Sequence, residues 1–436
     1  MTHDQKETGM KRKALRSVAV VSSLALPLGL LAACSGGTDN GEDGEQVTIE
    51  FAQWWGTELP DGTFQELIDG FEAENPDIKV EVISEPFANV KDQLVAGAAS
   101  GTMSDVVGLD GNWVYDFVQQ GALADMSEYY EVTDFDPSNF LPQEVDGGVY
   151  RIPAANFTFP LFVNEEILAE AGVEEIPETR AEFEEAASKI SELGGDVSAL
   201  ALPLSLQSPN SVKNDILSWL YASGGRLFTE DGEPNLTSPE LVELVEFMAD
   251  LSSKGYLAAG AENMQETDKV EEFRNGRAGT AVSSLAHINL LAEGSDLDFT
   301  VAALPKADGF DGTSGVTYAS WGLGIAESSE HKEEAWKLVD YILSTDVNEK
   351  LAELAYAFPG NSEASPDFVG EDERTKAAYE AWMSGEPVDE FIGLPSSDEL
   401  MRTLLEGVQR AVSGSEDAAT AMAGAQKEWE ELLADS

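Results

Sequence analysis

The sequence is poor in the residues that build metal centres and nucleophilic active sites. It has one cysteine and three histidines among 436 residues. A disulfide within the chain is therefore impossible, and zinc sites, catalytic triads and Cys–His pairs are nearly excluded. It also lacks the G-x-x-x-x-G-K-[ST] motif that cradles nucleotide phosphates and the spacing of an EF-hand. We therefore expect no catalytic residue, no metal and no cofactor, and any ATP hydrolysis has to come from a partner.

Basic residues are scarce as well. The 25 Lys and Arg face 82 Asp and Glu, which gives a formal net charge of −57. This charge disfavours nucleic acid and anionic membrane surfaces as partners. It is typical of adaptation to high salt or alkali, or of a lineage-wide acidic bias, and composition does not separate these explanations. With this many acids, some carboxylates lie close together by chance. A pair of carboxylates is therefore not evidence of a glycosidase active site in this sequence.

Long apolar runs are missing except near the N-terminus. A basic segment, "KRKALR", precedes an apolar run at 17–31 that is too short for an ordinary spanning helix. The run ends in "LAAC", which resembles a bacterial lipobox, and the only cysteine, Cys34, is its last residue. We expect residues 1–33 to be a lipoprotein signal peptide, Cys34 to be lipidated, and the Gly-rich, acidic residues 34–46 to be a flexible tether. The expected location is the extracytoplasmic face of the cell membrane, attached only by the acyl anchor.

The body of the chain begins with alternating strand and helix patterns. Strands are predicted at 47–52, 78–83 and 105–110, and helices at 60–76, 87–101 and 112–121. This βαβαβα order predicts an α/β fold with a parallel sheet. The later chain is mixed. Further helices are predicted at 179–193, 211–222, 239–253, 266–275, 329–344, 373–384, 397–412 and 417–433, and strands at 149–152, 159–164, 278–283, 298–303 and 321–326.

Two groups of candidate ligand-binding residues follow the first and third predicted strands. Trp54 and Trp55 leave the first, and Asp110, Asn112 and Trp113 leave the third. The carboxyl ends of parallel strands meet at one edge of a sheet, where ligands bind. Flat rings that stack on a pyranose, together with a few hydroxyl-binding groups, are typical of a carbohydrate site. Adjacent tryptophans point in opposite directions, so one would contact ligand and the other the core. Asp110 could instead cap the following helix.

The remaining tryptophans divide into two groups. Trp336, Trp382 and Trp429 each share a helix face with apolar residues, and we interpret them as core residues. Trp219 also lies on an apolar face, but it precedes the turn-forming "YASGG", so it is a candidate for either the core or the site.

The order of motifs resembles the family 1 extracellular solute-binding proteins, the carbohydrate-type receptors of bacterial ABC importers. The matching segments are the strand that leads into "WWG", "FEAENPDIKVEV", "LVAGAASGTMSDVVGLDGNW", "GGVYRIPAANFTFP", "GRAGTAV" and "WGLGIAESSEHKEEAWKLVDYIL". The resemblance implies two hinge-connected α/β lobes around a central cleft, as in periplasmic binding proteins. Lobe 1 would comprise 47–154 plus 321–360, and lobe 2 would comprise 155–320 plus 361–436.

The resemblance also implies where a ligand would lie. Asn156 and Phe157 would line the cleft at the first crossing between lobes, Tyr318 and Trp321 at the second, and Phe358 at the third. Ordinary hinge packing is the alternative for each. Lobe 2 would contribute Trp219 and a loop with Ser283, Ser284 and His287, although His287 could equally be a structural histidine. Arg151, beside the first crossing, could hold a hydroxyl or pair with one of the many carboxylates, and pairing is favoured.

The expected function is that of a membrane-anchored, monomeric receptor rather than an enzyme. It would capture a sugar or oligosaccharide as its lobes close and deliver it to an ABC permease. Two alternatives stay open. One is an anchored polysaccharide-degrading enzyme, and the other is a receptor for a polyamine, peptide or polyol phosphate. The identity of the sugar, its length and the permease do not follow from the sequence.

Overall fold

The computed structural model describes residues 46–292, 297–366 and 373–434. The predicted signal peptide, Cys34 and all of the tether before residue 46 lie outside the described residues. Among the residues that are described, no helix is long and apolar enough to cross a bilayer.

Twelve strands in the described part of the chain form two sheets. Their bounds are β1 Val47–Gln53, β2 Ile78–Ser84, β3 Val106–Leu109, β4 Gln143–Val145, β5 Gly148–Thr158, β6 Leu161–Asn164, β7 Ser198–Ala201, β8 Ala278–Val282, β9 Phe299–Ala302, β10 Gly315–Ile325, β11 Phe358–Pro359 and β12 Glu386–Val388. The larger sheet has the order β11-β5-β10-β3-β1-β2, with β4 paired to β5 and β12 to β10. The smaller has the order β7-β8-β6-β9.

Fifteen α-helices accompany these strands in the same described ranges. They are α1 Thr63–Glu74, α2 Phe87–Ser100, α3 Val114–Gln119, α4 Tyr130–Thr133, α5 Glu165–Glu170, α6 Arg180–Ser191, α7 Ser218–Tyr221, α8 Pro239–Ser253, α9 Glu266–Arg274, α10 His287–Ala292, α11 Lys332–Leu343, α12 Thr345–Ala355, α13 Glu373–Ser384, α14 Ser397–Val412 and α15 Ala418–Ala434. Short 3-10 turns and one π-helical segment, Val212–Leu217, complete the set.

The first three strands confirm the βαβαβα prediction. β1 pairs in parallel with both β2 and β3. Between β1 and β2, α1 buries Phe64, Leu67, Ile68 and Phe71, the residues that its i, i+3, i+4, i+7 pattern places on one face. The carboxyl ends of β1 and β3 therefore lie side by side, as the topology requires.

The sheet is not parallel throughout, because two long strands continue it with the opposite direction. β10 pairs antiparallel to β3, and β5 pairs antiparallel to β10. β5 leads through Phe159 and Pro160 into β6 of the smaller sheet. β11 lies beside β5, with Phe358 opposite Asn156. The three chain segments expected to connect the lobes are thus neighbouring strands, which we call the hinge strands.

The smaller sheet is covered on both faces. One face shares an apolar cluster with the larger sheet through residues such as Phe162, Phe273 and Phe299. The other face packs against α6, α8, α14 and α15 around Trp219 and Trp429. A two-lobed α/β architecture results, with each sheet at the centre of one lobe.

Several local predictions were incomplete or wrong. The single helix expected at 211–222 is a π-helical segment followed by α7. The strand expected at 149–152 is the eleven-residue β5. Seven short elements of the described residues were missed, namely β4, β7, β11, β12, α4, α5 and α10. The sequence pattern also did not predict α12, a helix that begins at Thr345 directly after α11.

Candidate functional site

A small cavity lies between the two sheets, against the hinge strands. Its volume is about 60 Å³. The residues that line it come from both lobes and from the hinge strands: Trp54, Glu58, Phe87, Asp110, Phe157, Phe159, Asn210, Asn214, Glu266, Ser284, His287, Ala319, Ser320 and Trp321. A second pocket of about 490 Å³ shares Phe87, Asn210, Asn214 and Glu266 with it. The cavity and this pocket together form the cleft.

The adjacent tryptophans behind β1 have different environments. Trp55 is fully buried; its ring stacks on Trp321 at 5.2 Å with 9° between the planes, and its edge contacts involve Phe51 and Phe64. Trp54 lines the cavity and makes an edge contact with Phe87 at 5.1 Å. The pair therefore divides as opposite-pointing neighbours should, with Trp54 at the cavity and Trp55 in the core.

Asp110 both caps a turn and lines the cavity. One of its carboxylate oxygens accepts a hydrogen bond from the Asn112 backbone N–H at 2.9 Å, which closes the 3-10 turn Gly111–Trp113. The residue is only 6% exposed, yet it belongs to the cavity wall. Both roles considered for Asp110 are thus compatible with the geometry.

Asn112 and Trp113 lie behind the cavity wall rather than in it. Trp113 packs against Phe87 with ring centres 4.8 Å apart, and the Lys91 ammonium lies 5.5 Å from its ring. The Asn112 side chain is 3% exposed, and its amide oxygen and nitrogen have no hydrogen-bond partner. Trp113 therefore supports the ring of Phe87, which does line the cavity.

The candidate residues on the hinge strands point to two opposite faces of the sheet, because side chains alternate along a β-strand. Phe157 and Trp321 line the cavity, whereas Asn156 and Tyr318 line a different pocket of about 710 Å³. Phe358 stacks on Trp382, which lines the 710 Å³ pocket, and the ring centres are 4.9 Å apart.

The Phe358–Trp382 stack also changes the interpretation of one tryptophan. Trp336 and Trp429 are fully buried core residues, as predicted from their helix faces. Trp382 is only partly buried and lines the 710 Å³ pocket. It therefore packs at the hinge strands rather than in the core of either lobe.

On the side of the smaller sheet, Ser284 and His287 line the cavity but Trp219 does not. Trp219 is fully buried and packs edge-on against Phe183 at 5.0 Å. Its carbonyl accepts a hydrogen bond from Arg180. The apolar face that it shares with Ile216 and Leu220 places it in the core of that lobe.

Sequence reasoning missed five polar residues of the cavity wall, one of which is Ser320 on β10. Glu58 follows the "WWG" turn, Asn210 and Asn214 flank the start of the π-helical segment, and Glu266 is the first residue of α9. The only available signal was the loop "SLQSPNSVKN", in which Ser, Pro and Asn follow a strand end. Nothing in the local pattern distinguishes Glu58 and Glu266 from the other acids of this chain.

Two ionisable groups of the cavity wall, Glu58 and His287, have strongly shifted pKa values. Burial raises the pKa of Glu58 to about 8, and repulsion from Glu266 adds to this, whereas a hydrogen bond from Trp321 opposes it. Burial lowers the pKa of His287 to about 4. His287 is therefore neutral at neutral pH, with its Nδ1 hydrogen-bonded to Ser283 Oγ at 2.7 Å.

Two buried ion pairs lie next to the cavity. Lys269 Nζ is 2.6 Å from Asp215, and Lys213 Nζ is 2.8 Å from Asp389, with all four side chains at most 2% exposed. Burial raises the pKa of Asp215 to about 7, although Lys269 opposes this. Both buried lysines thus have their charge matched by a dedicated carboxylate.

Among the described residues, Arg151 bonds carbonyl and hydroxyl oxygens rather than a carboxylate, contrary to the pairing favoured from sequence. Its Nε donates to the Leu109 carbonyl at 3.0 Å, and its Nη2 donates to the carbonyl and hydroxyl of Ser320. These bonds connect β5 to β3 and β10. Arg151 therefore holds the hinge strands together through main-chain oxygens.

Contacts across the cleft show that the lobes are closed. Lys91 of α2 forms an ion pair with Asp398 of α14. The Asp116 carboxylate of α3 accepts a hydrogen bond from the Ser396 N–H at 3.2 Å. Both contacts join helices of the larger-sheet lobe to the segment before and at the start of α14. Within the described residues, no group of three or more His, Cys, Asp or Glu is placed to hold a metal ion.

Comparison with known proteins supports this architecture. The family model of the bacterial extracellular solute-binding proteins, which describes their shared sequence pattern, matches residues 55–349 of this chain. The chain is 21% identical to the galactooligosaccharide-binding protein of Bacillus subtilis, over 89% of this chain and 90% of that protein.

Two solved structures have the same fold. The GacH receptor of Streptomyces glaucescens, solved unliganded and with acarbose, is 23% identical with a TM-score of 0.77, over 89% of this chain and 99% of that one. Maltose-bound MalE3 of T. maritima is 25% identical with a TM-score of 0.74, over 89% and 100%. The family match covers more than half of the chain, so this protein belongs to the bacterial extracellular solute-binding proteins.

Proposed function

We propose that this protein is the receptor of an ABC importer for a sugar or oligosaccharide, which it captures by closure of its two lobes. The observation that carries the proposal is the composition of the cavity wall. Rings from the larger-sheet lobe and the hinge strands (Trp54, Phe87, Phe157, Trp321) face amides and hydroxyls from the smaller-sheet lobe (Asn210, Asn214, Ser284). Rings that stack on the C–H faces of a pyranose and polar groups that bind its hydroxyls are both needed in a carbohydrate site.

The mechanism is differential stabilisation of the closed form. A sugar can contact both walls only when the lobes meet, so its binding energy shifts the equilibrium towards closure. The closed surface is what the permease would recognise. The named relatives agree with this ligand class, since they bind galactooligosaccharide, acarbose and maltose.

The anchoring is part of the proposal. Lipidation of Cys34 after removal of residues 1–33 would hold a monomeric receptor at the extracytoplasmic face, and residues 34–46 would let it reach the permease. Replacement of Cys34 by Ser should release the protein from the membrane fraction into the soluble fraction. A Cys34→Ser protein that stays with the membrane would contradict the anchor.

We propose that the lobes divide within the hinge strands, at 154/155 and 320/321, and again at 360/361 just after β11. This division leaves short connections as the only parts that bend. Small-angle scattering with and without sugar should show that the radius of gyration decreases when sugar binds and the lobes close.

Thermal unfolding against a panel of carbohydrates tests the ligand class. A sugar that binds the folded state should raise the melting temperature in a concentration-dependent manner. The same sugars recovered after incubation should be unaltered if the protein is a receptor. Cleaved oligosaccharide would instead support the anchored polysaccharide-degrading enzyme.

A further inference from the structure

The cavity wall has an excess of hydrogen-bond acceptors. Three carboxylates line it, those of Glu58, Asp110 and Glu266, and no lysine or arginine is among its lining residues. The only basic side chain in the wall is His287, whose low pKa keeps it neutral at neutral pH. Carboxylates accept hydrogen bonds and donate none when ionised. Without ligand, Glu58 retains its proton at neutral pH because burial raises its pKa to about 8, and a cation beside it would favour the ionised, acceptor-only form. The wall therefore favours a ligand that donates hydrogen bonds and carries positive charge.

Asn214 is a second, independent sign of a missing donor. Its side chain is 8% exposed and lines the cavity, and its buried amide oxygen has no hydrogen-bond partner in the part of the chain that the structure describes. A buried acceptor without a donor costs about 1–3 kcal/mol, so such groups are expected where a ligand completes them. A donor on a ligand in the cavity would complete this acceptor.

Glu58 and Glu266 are the pair that most needs a cation. They lie close enough for repulsion from Glu266 to add to the effect of burial on Glu58. Asp110, by contrast, lies near the positive charges of Arg151 and Lys213. The other buried lysine, Lys269, is held by Asp215 at 2.6 Å and is not free to neutralise the pair.

The aromatic rings of the wall suit a cation as well as a sugar. Trp54, Phe87, Phe157 and Trp321 all line the same small cavity as Glu58 and Glu266. The negative faces of aromatic rings attract ammonium groups, and tryptophan does so most strongly. Trp321 also supplies a hydrogen bond to Glu58, which orients that carboxyl towards the ring cluster.

We infer that the ligand is an amino sugar, whose protonated amine binds between Glu58, Glu266 and the amide oxygen of Asn214. An ammonium group donates three hydrogen bonds and accepts none, which matches three acceptors from three different segments of the chain. The sugar ring remains the partner of the stacking rings. This inference rests on the proposed function and names the substrate class within it.

Three disaccharides that differ only at C2 provide the direct test. Cellobiose carries a hydroxyl there, N,N′-diacetylchitobiose an uncharged acetamide, and chitobiose a protonated amine. Their affinities, and those of glucose, N-acetylglucosamine and glucosamine, are measured by calorimetry on the intact protein. The amine form should bind at least about tenfold more tightly than both of its uncharged counterparts, as charge-assisted hydrogen bonds require.

The outcomes separate this inference from the proposed function. A hydroxyl or acetamido sugar that binds as tightly as the amine, or more tightly, overturns the amino-sugar inference and leaves the receptor function standing. Spermidine is included as a cation without a ring. Binding of spermidine with no sugar bound overturns the amino-sugar inference in favour of a cation receptor. No binding of any of these probes overturns the amino-sugar inference, and the carbohydrate panel then decides the receptor function separately.

Two variants locate the amine. Glu58→Gln and Glu266→Gln should each reduce the preference for amine over hydroxyl by about tenfold. Glu81→Gln, an exposed change on β2, is the matched control and should alter neither affinity. Thermal unfolding without ligand verifies folding, and either glutamine variant alone suffices for the test. An unchanged preference in a folded Glu266→Gln protein contradicts the placement.

Discussion

Trp54 and Trp55 are neighbours in the chain and have the same side chain, but the structure gives them different surroundings. Trp55 is enclosed by Phe51, Phe64 and the stacked Trp321. Trp54 touches Phe87 and Trp113 and then meets the cavity. The comparison shows how one turn serves both lobe and ligand: Trp55 fixes the position of Trp321, and Trp54 and Trp321 then form walls of the same cavity.

Trp55→Ala should have the largest effect, and the effect should be on stability. Removal of a fully buried indole leaves a cavity and costs about 3–5 kcal/mol. Chemical unfolding measures this loss. Because Trp55 stacks on Trp321, ligand affinity should fall as well. Trp54→Ala in the same assay should lose clearly less stability, since one side of Trp54 faces the cavity rather than packed atoms; equal losses would abolish the contrast between the two residues.

Trp54→Ala should act mainly on binding. If Trp54 stacks on the sugar, its loss should weaken affinity at least about tenfold, which is about 1.4 kcal/mol. Calorimetry with the sugar identified in the panel measures this change. Trp54→Phe retains an aromatic face and should stay within a few-fold of the wild type. Unchanged affinity in a folded protein that lacks both Trp54 and Trp55 would refute this placement of the site.

Glu58, which follows the two tryptophans, should make the stability of the folded state depend on pH. The folded state retains the Glu58 proton up to pH of about 8, whereas the unfolded chain loses it above about 4.5. The folded state thus binds more protons in between, so this contribution to stability is complete below pH 4.5 and is lost as pH rises towards 8. Asp215 acts in the same direction with a pKa of about 7, whereas His287 acts oppositely below pH 6.5.

The window from pH 6.5 to 8 therefore isolates Glu58 from His287. Melting temperatures over this window should fall for the wild type and fall less for Glu58→Gln. Parallel slopes for the two proteins would show that Glu58 ionises normally. The Trp54 and Trp55 variants, measured over the same window, show which ring maintains the environment of Glu58.

The smallest expected effect on sugar affinity comes from an ion pair that joins the two lobes across the cleft, not from a residue of the cavity wall. Lys91 is paired with Asp398 across the cleft, at partly exposed positions. Such pairs contribute about 0.2–1 kcal/mol, so Lys91→Ala should weaken sugar binding by up to about fivefold. Lys79→Ala removes an ion pair with Glu72 within one lobe and should leave affinity unchanged. Equal effects of the two variants would argue against a role of the Lys91 pair in closure.

Local pattern was sufficient for much of the fold. The spacing of apolar residues in α1 and the alternation in β1 identified these elements, because burial on one face leaves a period in the sequence. It failed for β7, whose "SALA" has no alternation and is buried throughout. It also failed for the π-helical segment at 212–217, whose extra residue per turn does not change the apolar pattern enough to be recognised.

The candidate site was only partly predictable for a different reason. Trp54 and Asp110 follow strands that the topology places side by side, so their proximity could be inferred. Asn214 and Glu266 lie far away in the chain from both, and no local pattern relates them to the cavity. Trp219 satisfied the local criteria for either the core or the site, and only its contacts with Phe183 and Phe247 place it in the core.

The chain alone therefore establishes the α/β class, the parallel strands that begin the larger sheet and the family, because these depend on periodicities and motifs of neighbouring residues. Which tryptophan faces the cavity, which acids are buried next to one another and which lysines are already paired depend on tertiary packing. Burial and pairing are decided by residues distant in sequence, and the free energy of a charge depends on that environment rather than on its neighbours in the chain. For the adjacent Trp54 and Trp55, the sequence indicates that the two rings point apart, and the packing of Trp321 on Trp55 decides which of them lines the cavity.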